Sequence, residues 1–319
     1  METFKKKIYV AGHTGMVGSA IWRLLKARGA ENLIGKSSAE LDLRDQYQVR
    51  EFFADQQPDI VINAAAKVGG ILANKSYPYE FLMDNLMIQN NIIDNAYKSG
   101  VERFLFLGSS CVYPKWANQP IREDYLMTGP LEPTNESYAI AKIAGIKACQ
   151  AIFNKTKKGF SSIMPSNLYG PFDNFDLKSS HVLPAMIRKF HDSKINGNQP
   201  VMLWGTGRPL REFLHVEDLA DAVIFLLKRE VSYPIINVGA GFDIEIKKLA
   251  LMVQSIVGHE GDILWDTGKP DGTPRKVMDV SKIKAMGWEP RLTLLEGISQ
   301  TYNWYKNNQE NLKMHAIES

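Results

Sequence analysis

Four side chains are equipped for chemistry by type and spacing: Ser109 and Cys111, two apart, and Tyr138 and Lys142, four apart. The alanine-rich run Tyr138-Ala139-Ile140-Ala141-Lys142 puts the phenol and the amine on one helical face. A phenol held beside an ammonium is expected to titrate below its usual value of about 10. Such a group moves a proton to or from a carbonyl or alcohol oxygen, the step that accompanies hydride transfer. Ser109 and Cys111 follow the apolar run Phe104-Leu105-Phe106-Leu107-Gly108, which reads as a buried strand. Ligands of open α/β sheets sit beyond the carboxyl ends of such strands. Taken alone, a Tyr and a Lys on one face suit any amphipathic helix, and a free cysteine is ordinarily a small core residue.

The elements that would position these groups start at the amino end. The strand Lys7-Ile8-Tyr9-Val10-Ala11 runs into Gly12-His13-Thr14-Gly15-Met16-Val17-Gly18 and then a helical run from Ser19. Strand, glycine turn and helix in this order form a dinucleotide cradle, with the pyrophosphate on the helix amino end. The Gly-x-x-Gly-x-x-Gly spacing is typical of extended short-chain dehydrogenases/reductases. The second strand, 32–35, ends in Lys36-Ser37-Ser38 without the usual acid, which favours the extra phosphate of NADP; Lys36 as a solvated loop residue is the plainer alternative. Strands at 59–63, 104–109 and 160–165 alternate with helices, one at 79–99, so the fold class is α/β. The layout expected is a Rossmann-type doubly wound parallel sheet with a smaller C-terminal α/β substrate subdomain. Small residues at 64–66 and 68–70 let the backbone pass close to a ligand.

At 319 residues, 45% hydrophobic, 23% charged and with net charge +3, the chain reads as a globular protein with no bias toward nucleic acid or a membrane surface. No apolar run approaches the roughly 18 residues of a spanning helix. Cys111 and Cys149 make no disulfide framework, and no Cys/His spacing suggests a metal. A cytoplasmic protein is expected.

Six motifs carry a family resemblance: 11–19, 64–71, 107–114 with Ser-Ser-Cys-Val-Tyr-Pro, 131–135, 138–147 and 165–174. Two more, 176–184 with His181 and 203–218, extend it over nearly the whole chain. The chain resembles the GDP-L-fucose synthase family, NADPH-dependent enzymes that epimerise GDP-4-keto-6-deoxy-D-mannose at carbons 3 and 5 and reduce carbon 4. The resemblance implies catalytic roles for Ser109, Cys111, Tyr138, Lys142 and His181, Cys111 and His181 serving as acid and base in an order left open. A thiol is poised for this only if nearby cations stabilise its thiolate. NADP contacts are implied at Gly12, His13, Thr14, Gly15, Met16, Val17, Gly18, Lys36, Ser38, Leu107, Gly108, Ser109, Ser110, Lys142, Pro165, Ser166, Asn167, Leu168 and His181. Thr14 and Ser38 stand where many members carry arginine. Lys189, Trp204, Arg211 and Asp279 are the implied contacts to the GDP-sugar, a guanidinium being suited to phosphate and an indole to stacking. A homodimer through helices at about 79–99 and 138–155 is implied as well.

The boundaries read as residues 1–171 for the dinucleotide domain, with 212–260 returning to it in part, and 172–211 plus 261–319 for the substrate subdomain. Glu217 and Asp218 read as first-turn acids of a helix, Cys149 as core, and His191, His215 and His259 as structural or surface residues. Two other classes remain open: an NAD-retaining sugar-nucleotide epimerase/dehydratase, and a non-catalytic dinucleotide sensor, for which Ser109, Tyr138 and Lys142 would be superfluous.

Overall fold

The computed structural model describes residues 2–229, 233–269 and 271–309. In the first half, β1 (Lys7–Ala11), α1 (Met16–Ala27), β2 (Asn32–Ile34), α2 (Gln46–Gln56) and β3 (Ile60–Asn63) alternate. They lead to α3 (Ile71–Ser76), α4 (Pro78–Lys98), β4 (Arg103–Leu107), α5 (Glu136–Thr156), β5 (Gly159–Pro165) and β6 (Asn167–Tyr169). The second half contains α6 (Val182–Ile195), β7 (Val201–Trp204), β8 (Leu210–Arg211), β9 (Phe213–His215), α7 (Val216–Leu227) and β10 (Ile235–Val238). After these come β11 (Ile244–Glu245), α8 (Ile246–Val257), β12 (Ile263–Asp266), β13 (Arg275–Lys276), α9 (Ser281–Ala285) and α10 (Leu294–Asn307).

The continuous apolar runs Ile60-Val61-Ile62 and Phe104-Leu105-Phe106 are buried on both faces, as strands covered by helices must be. They form a six-stranded parallel sheet in the order β10-β5-β4-β3-β1-β2. Val10 lies opposite Ile62, and Ile62 opposite Leu105, so the carboxyl ends of β1, β3 and β4 emerge along one edge. The chain order reverses between β1 and β3, and crevices at such switch points are where doubly wound sheets bind ligands. Helix α1 packs with α7, and α4 with α5 and α2, flanking the sheet. The described helices include none long and apolar enough to cross a membrane.

A second core gathers Ile187, Phe190, Leu203, Leu249, Val253, Ile298 and Tyr302 from α6, β7, α8 and α10, with Phe175 from the loop between β6 and α6. This redraws the expected boundaries. Helix α8, inside the 212–260 segment expected to return to the sheet in part, buries Leu249, Ala250 and Val253 in the second core. Met278, Val280, Ile283 and Trp288, expected in the substrate subdomain, pack on the first. The reason is length: each apolar face is too short to reveal which of two cores covers it. The last ten residues of the expected 261–319 segment lie outside the described residues.

Candidate active site

The glycine turn is held by close backbone packing. Gly12 has φ +77° and a Cβ there would lie 2.8 Å from the Ala65 backbone, so β1 and β3 meet across the switch point. A Cβ on Gly18 would run into the Gly12 carbonyl, which seats α1 on the turn. Gly15 is the N-cap of α1; its side is open, and the first turn carries no acid or side-chain cap. The unused amides of that turn, at the positive end of the helix dipole, suit a pyrophosphate. Thr14 and Gly15 are exposed, whereas Met16 and Val17 turn partly inward and the His13 ring packs on Trp22 at 5.1 Å. Two further groups at the sheet edge await partners: Asn63 Nδ2 at the end of β3 and Ser166 Oγ just after β5 are buried without hydrogen bonds among the described residues. These features fit a dinucleotide.

At the adenosine end, Lys36 faces Glu40 at 3.4 Å, and Ser37 donates to Glu40 through its amide at 2.8 Å and hydroxyl at 2.7 Å. Those bonds from Ser37 hold the Glu40 carboxyl at about 2. An acid therefore engages the cation expected to stand free for a phosphate, while Ser38 is exposed beside it. At the other end, Pro165, Ser166, Asn167 and Leu168 leave β5 toward β6. Ser166 is tied by its amide to Val238 O at 3.0 Å, and Asn167 Nδ2 to Glu212 O at 2.7 Å.

Leu107 and Gly108 end β4, and the chain turns through Ser109 into a short 3-10 helix at Ser110–Val112. Ser109 Oγ accepts from the Cys111 amide at 3.3 Å, and Ser109 favours the charged forms of both the Tyr138 phenol and the Cys111 thiol. Tyr138 and Lys142 project from α5 as their spacing requires. Lys142 Nζ donates to Leu107 O at 2.8 Å and lies 5.9 Å from the Tyr138 ring centre. Burial brings Lys142 down to about 8. The expected phenolate does not form: burial first, then Cys111, push the Tyr138 phenol up, against the pull of Ser109. Lys142 gives its hydrogen bond to the Leu107 carbonyl rather than to the phenol, and burial dominates at Tyr138, which keeps its proton.

His181 is the N-cap of α6 and is exposed. The segment before it is pinned to the glycine loop by Gly70 N donating to Ser179 O at 2.8 Å. Desolvation and the Lys276 ammonium hold the His181 imidazole below the usual range. Cys111, Lys115, Glu132, Asn135, Arg275 and Lys276 line a cleft. Burial raises the Cys111 thiol, and Lys276 is the strongest influence in the opposite direction. Asn135 Oδ1 is buried without a hydrogen bond among the described residues, an acceptor suited to a ligand hydroxyl.

Trp204, 51% exposed on β7, is flanked by Lys189 at 5.9 Å and Lys269 at 5.5 Å from its ring centre. Lys189 Nζ also donates to Met202 O at 2.8 Å. Arg211 donates to Asp271 O at 3.2 Å, and Asp271 in turn accepts from the Thr206 amide and hydroxyl at 2.7 Å. An indole among cations suits a nucleotide base and diphosphate. Asp279 accepts from the Ser281 amide at 2.9 Å and feels Arg122 and Lys282; no contact among the described residues joins it to Trp204 or Arg211.

The resemblance covers Glu132 and Asn135 with the 131–135 motif and Lys276 with the stretch 275–279 implied for the nucleotide, but gives none of the three a role of its own. Lys276 lies in a two-residue strand that carries no periodic signal. Glu217 and Asp218 are first-turn acids of α7, as expected. His215 Nδ1 caps α7 by accepting from the Glu217 amide at 3.3 Å, while Glu217 pairs with Arg23 and Asp218 accepts from the Arg291 and Leu292 amides. Cys149 and His215 are buried in packing, and His191 meets Tyr302 Oη at 3.1 Å.

A parallel sheet with a glycine cradle at its switch point and Ser, Tyr and Lys at the next strand end defines a dinucleotide-dependent enzyme on a Rossmann-type fold. Residues 8–239 match the NAD dependent epimerase/dehydratase family, and the chain belongs to it and, within it, to the GDP-L-fucose synthases. It is 57% identical to GDP-L-fucose synthase 1 of Arabidopsis thaliana over 310 residues, 97% of this chain and 95% of that protein. Among solved structures, a GDP-6-OMe-4-keto-L-xylo-heptose reductase from C. jejuni superposes with TM-score 0.91 at 37% identity, covering 96% of this chain and 99% of that one. A GDP-L-fucose synthetase from Naegleria fowleri bound to NADP gives 0.87 at 28% identity, with 96% and 95% covered.

Proposed function

We propose that this protein converts GDP-4-keto-6-deoxy-D-mannose to GDP-L-fucose, epimerising carbons 3 and 5 and then reducing carbon 4 with NADPH. The observation that carries the reading is the grouping of Ser109, Cys111, Tyr138 and Lys142 at one strand end, with His181 within electrostatic reach of Lys276, which lines the cleft beside Cys111. The relatives named for this reaction, and a neighbour solved with NADP, support it.

The carbon 4 ketone acidifies the protons on carbons 3 and 5. A base takes one of them: the C–H bond breaks, its electron pair enters an enolate whose charge rests on the carbon 4 oxygen, and the proton goes to the base. An acid on the opposite face returns a proton to the same carbon with inverted configuration. Cys111 and His181 are the pair for these two roles. When bound, NADPH supplies a hydride to carbon 4. Tyr138, kept protonated by its burial, gives its proton to the oxygen that becomes the alcohol, and Ser109 hydrogen-bonds that oxygen. Lys142 holds the Leu107 carbonyl and offers its remaining protons to the cofactor ribose. The turn 12–18 holds the pyrophosphate, Lys36 and Ser38 the adenosine phosphate, and 165–168 the nicotinamide side. Lys189, Trp204, Arg211 and Asp279 take the GDP portion.

A homodimer goes with this reading, supported by exposed apolar residues Tyr79 and Met87 on α4 and Ile140 on α5; light scattering should give twice the chain mass. A cytoplasmic setting also goes with it, because Cys111 has to remain reduced. The division into a dinucleotide part and a GDP-sugar part follows the two cores.

The test mixes enzyme, NADPH and GDP-4-keto-6-deoxymannose in deuterated water, following nicotinamide absorbance and deuterium at carbons 3 and 5. Wild type should consume NADPH and yield GDP-L-fucose. Tyr138→Phe should lose about a hundredfold or more in NADPH consumption while still exchanging deuterium. NADPH left untouched by wild type, with nucleotide tightly bound to the purified protein, would favour the NAD-retaining epimerase instead.

A further inference from the structure

Cys111 is 7% exposed, and burial opposes its thiolate. Something in the cleft must hold that charge if the epimerisation proposed above is to use it, and the inference rests on that reading. The ionisable groups around the thiol are Lys276, Lys142 and Tyr138, with Lys115, Glu132 and Arg275 along the same cleft. Most of the cations are already engaged. Lys142 donates to Leu107 O at 2.8 Å, Lys115 pairs with Glu132 at 3.0 Å, and Arg275 pairs with Asp243 at 2.5 Å. Lys276 lines the same cleft as Cys111 and has no salt bridge or side-chain hydrogen bond among the described residues; burial and Arg211 work against its charge, and Cys111, Glu132 and Glu212 favour it.

Its backbone is clamped from both sides. On one side β13 pairs with β8, Lys276 opposite Arg211, and Lys276 O accepts from the Glu212 amide at 3.2 Å. Glu212, fully buried, accepts from the Met278 and Gly241 amides, each at 2.7 Å. On the other side Val277 donates to Gln119 Oε1 at 2.9 Å and accepts from the Ile121 amide at 2.8 Å. A buried carboxylate is thus spent on fixing a two-residue strand, one of whose side chains is an uncommitted ammonium over the cleft.

We propose that Lys276 is a positioning residue for the epimerisation: its ammonium, held over the cleft by the Glu212 clamp, pairs with the Cys111 thiolate and sets how much of that sulfur is ready to exchange a proton with the sugar. The same cation bears on His181. Removing it therefore shifts the thiol toward its protonated form and the imidazole toward its charged form.

The experiment is alkylation of Cys111 by iodoacetamide across about pH 6 to 10, read peptide by peptide by mass spectrometry so that Cys149 is scored separately. It compares wild type, Lys276→Met and Lys276→Arg, with circular dichroism confirming the fold of each. Lys276→Met should slow Cys111 alkylation about tenfold at pH 7 and move its pH profile upward, while Lys276→Arg stays within about threefold of wild type. An unmoved thiol in Lys276→Met, or equal slowing in Lys276→Arg, overturns the proposal; so does a raised KM for the GDP-sugar with the thiol unchanged, which would make Lys276 a diphosphate contact. Alkylation needs no substrate. A wild type that ignores GDP-4-keto-6-deoxymannose would therefore sink the functional reading and leave the thiol result standing.

Discussion

Lys142 is held where its own burial opposes its charge. Its folded-state pKa, about 8, lies below the unfolded 10.5. Its contribution to stability is therefore present above 10.5 and lost as pH falls through 8, so at pH 7 the ammonium costs about 2–3 kcal/mol. Its hydrogen bond to Leu107 O offsets part of that, about 1.5–2 kcal/mol for a charged donor. Lys142→Met should thus unfold at a urea concentration no lower than wild type at pH 7, while its NADPH affinity falls about tenfold or more. A variant clearly less stable than wild type would show that the Leu107 bond outweighs desolvation. Tyr138 illustrates the same balance with the opposite use, since burial that blocks phenolate formation keeps a proton available for donation.

Among the elements, the β1–turn–α1 unit is the most constrained by backbone contact. In an ordinary helix, alanine would improve on glycine by about 1 kcal/mol. At Gly18 a Cβ would come within 2.6 Å of the Gly12 carbonyl carbon and 2.9 Å of His13 Cα, both backbone atoms that cannot step aside. Gly18→Ala should therefore destabilise the protein by about 2–3 kcal/mol and abolish NADPH binding, measured by urea unfolding and fluorescence titration. Gly29, at φ +82° with nothing within 4 Å, provides the contrast. Its alanine variant should lose about 1 kcal/mol through backbone strain alone and bind NADPH normally. The residues just after strand β13, Val277 and Met278, are constrained differently, by the side-chain acceptors of Gln119 and Glu212 rather than by sterics.

At the scale of the whole molecule, Asp173 lies in the loop that leaves β6 for the second core, buried, with Oδ2 unpartnered among the described residues. Burial raises its carboxyl from 3.8 to about 7. A carboxyl raised on folding contributes stability that is present below the unfolded pKa and lost as pH rises through the folded one. Between pH 5 and 8 this group should weaken the fold by about 2–3 kcal/mol. Asp173→Asn, nearly the same shape without the charge, should come closest to wild type in urea unfolding at about pH 3 and exceed it increasingly up to pH 8. Equal pH dependence in the two proteins would mean that water or relaxation reaches this carboxylate.

Local periodicity and spacing made much of this protein legible as sequence. The strand-turn-helix at 7–27, the shared face of Tyr138 and Lys142, the buried strand leading into Ser109 and the packing role of Cys149 all follow from residues near one another in the chain. Side-chain direction is set within a few residues by backbone geometry. Tertiary structure alone decided what depends on distant segments. Lys276 reaches Cys111 across more than a hundred and sixty residues of chain because β13 is stitched to β8 and to Ile121. Residues 278–288 pack on the first core rather than the second because an apolar face records that it is buried, but not against what. The expected direction at Tyr138 reversed because burial, which the spacing of two residues along a helix does not record, dominates there. Desolvation and charge act through space, and only the folded chain fixes those distances.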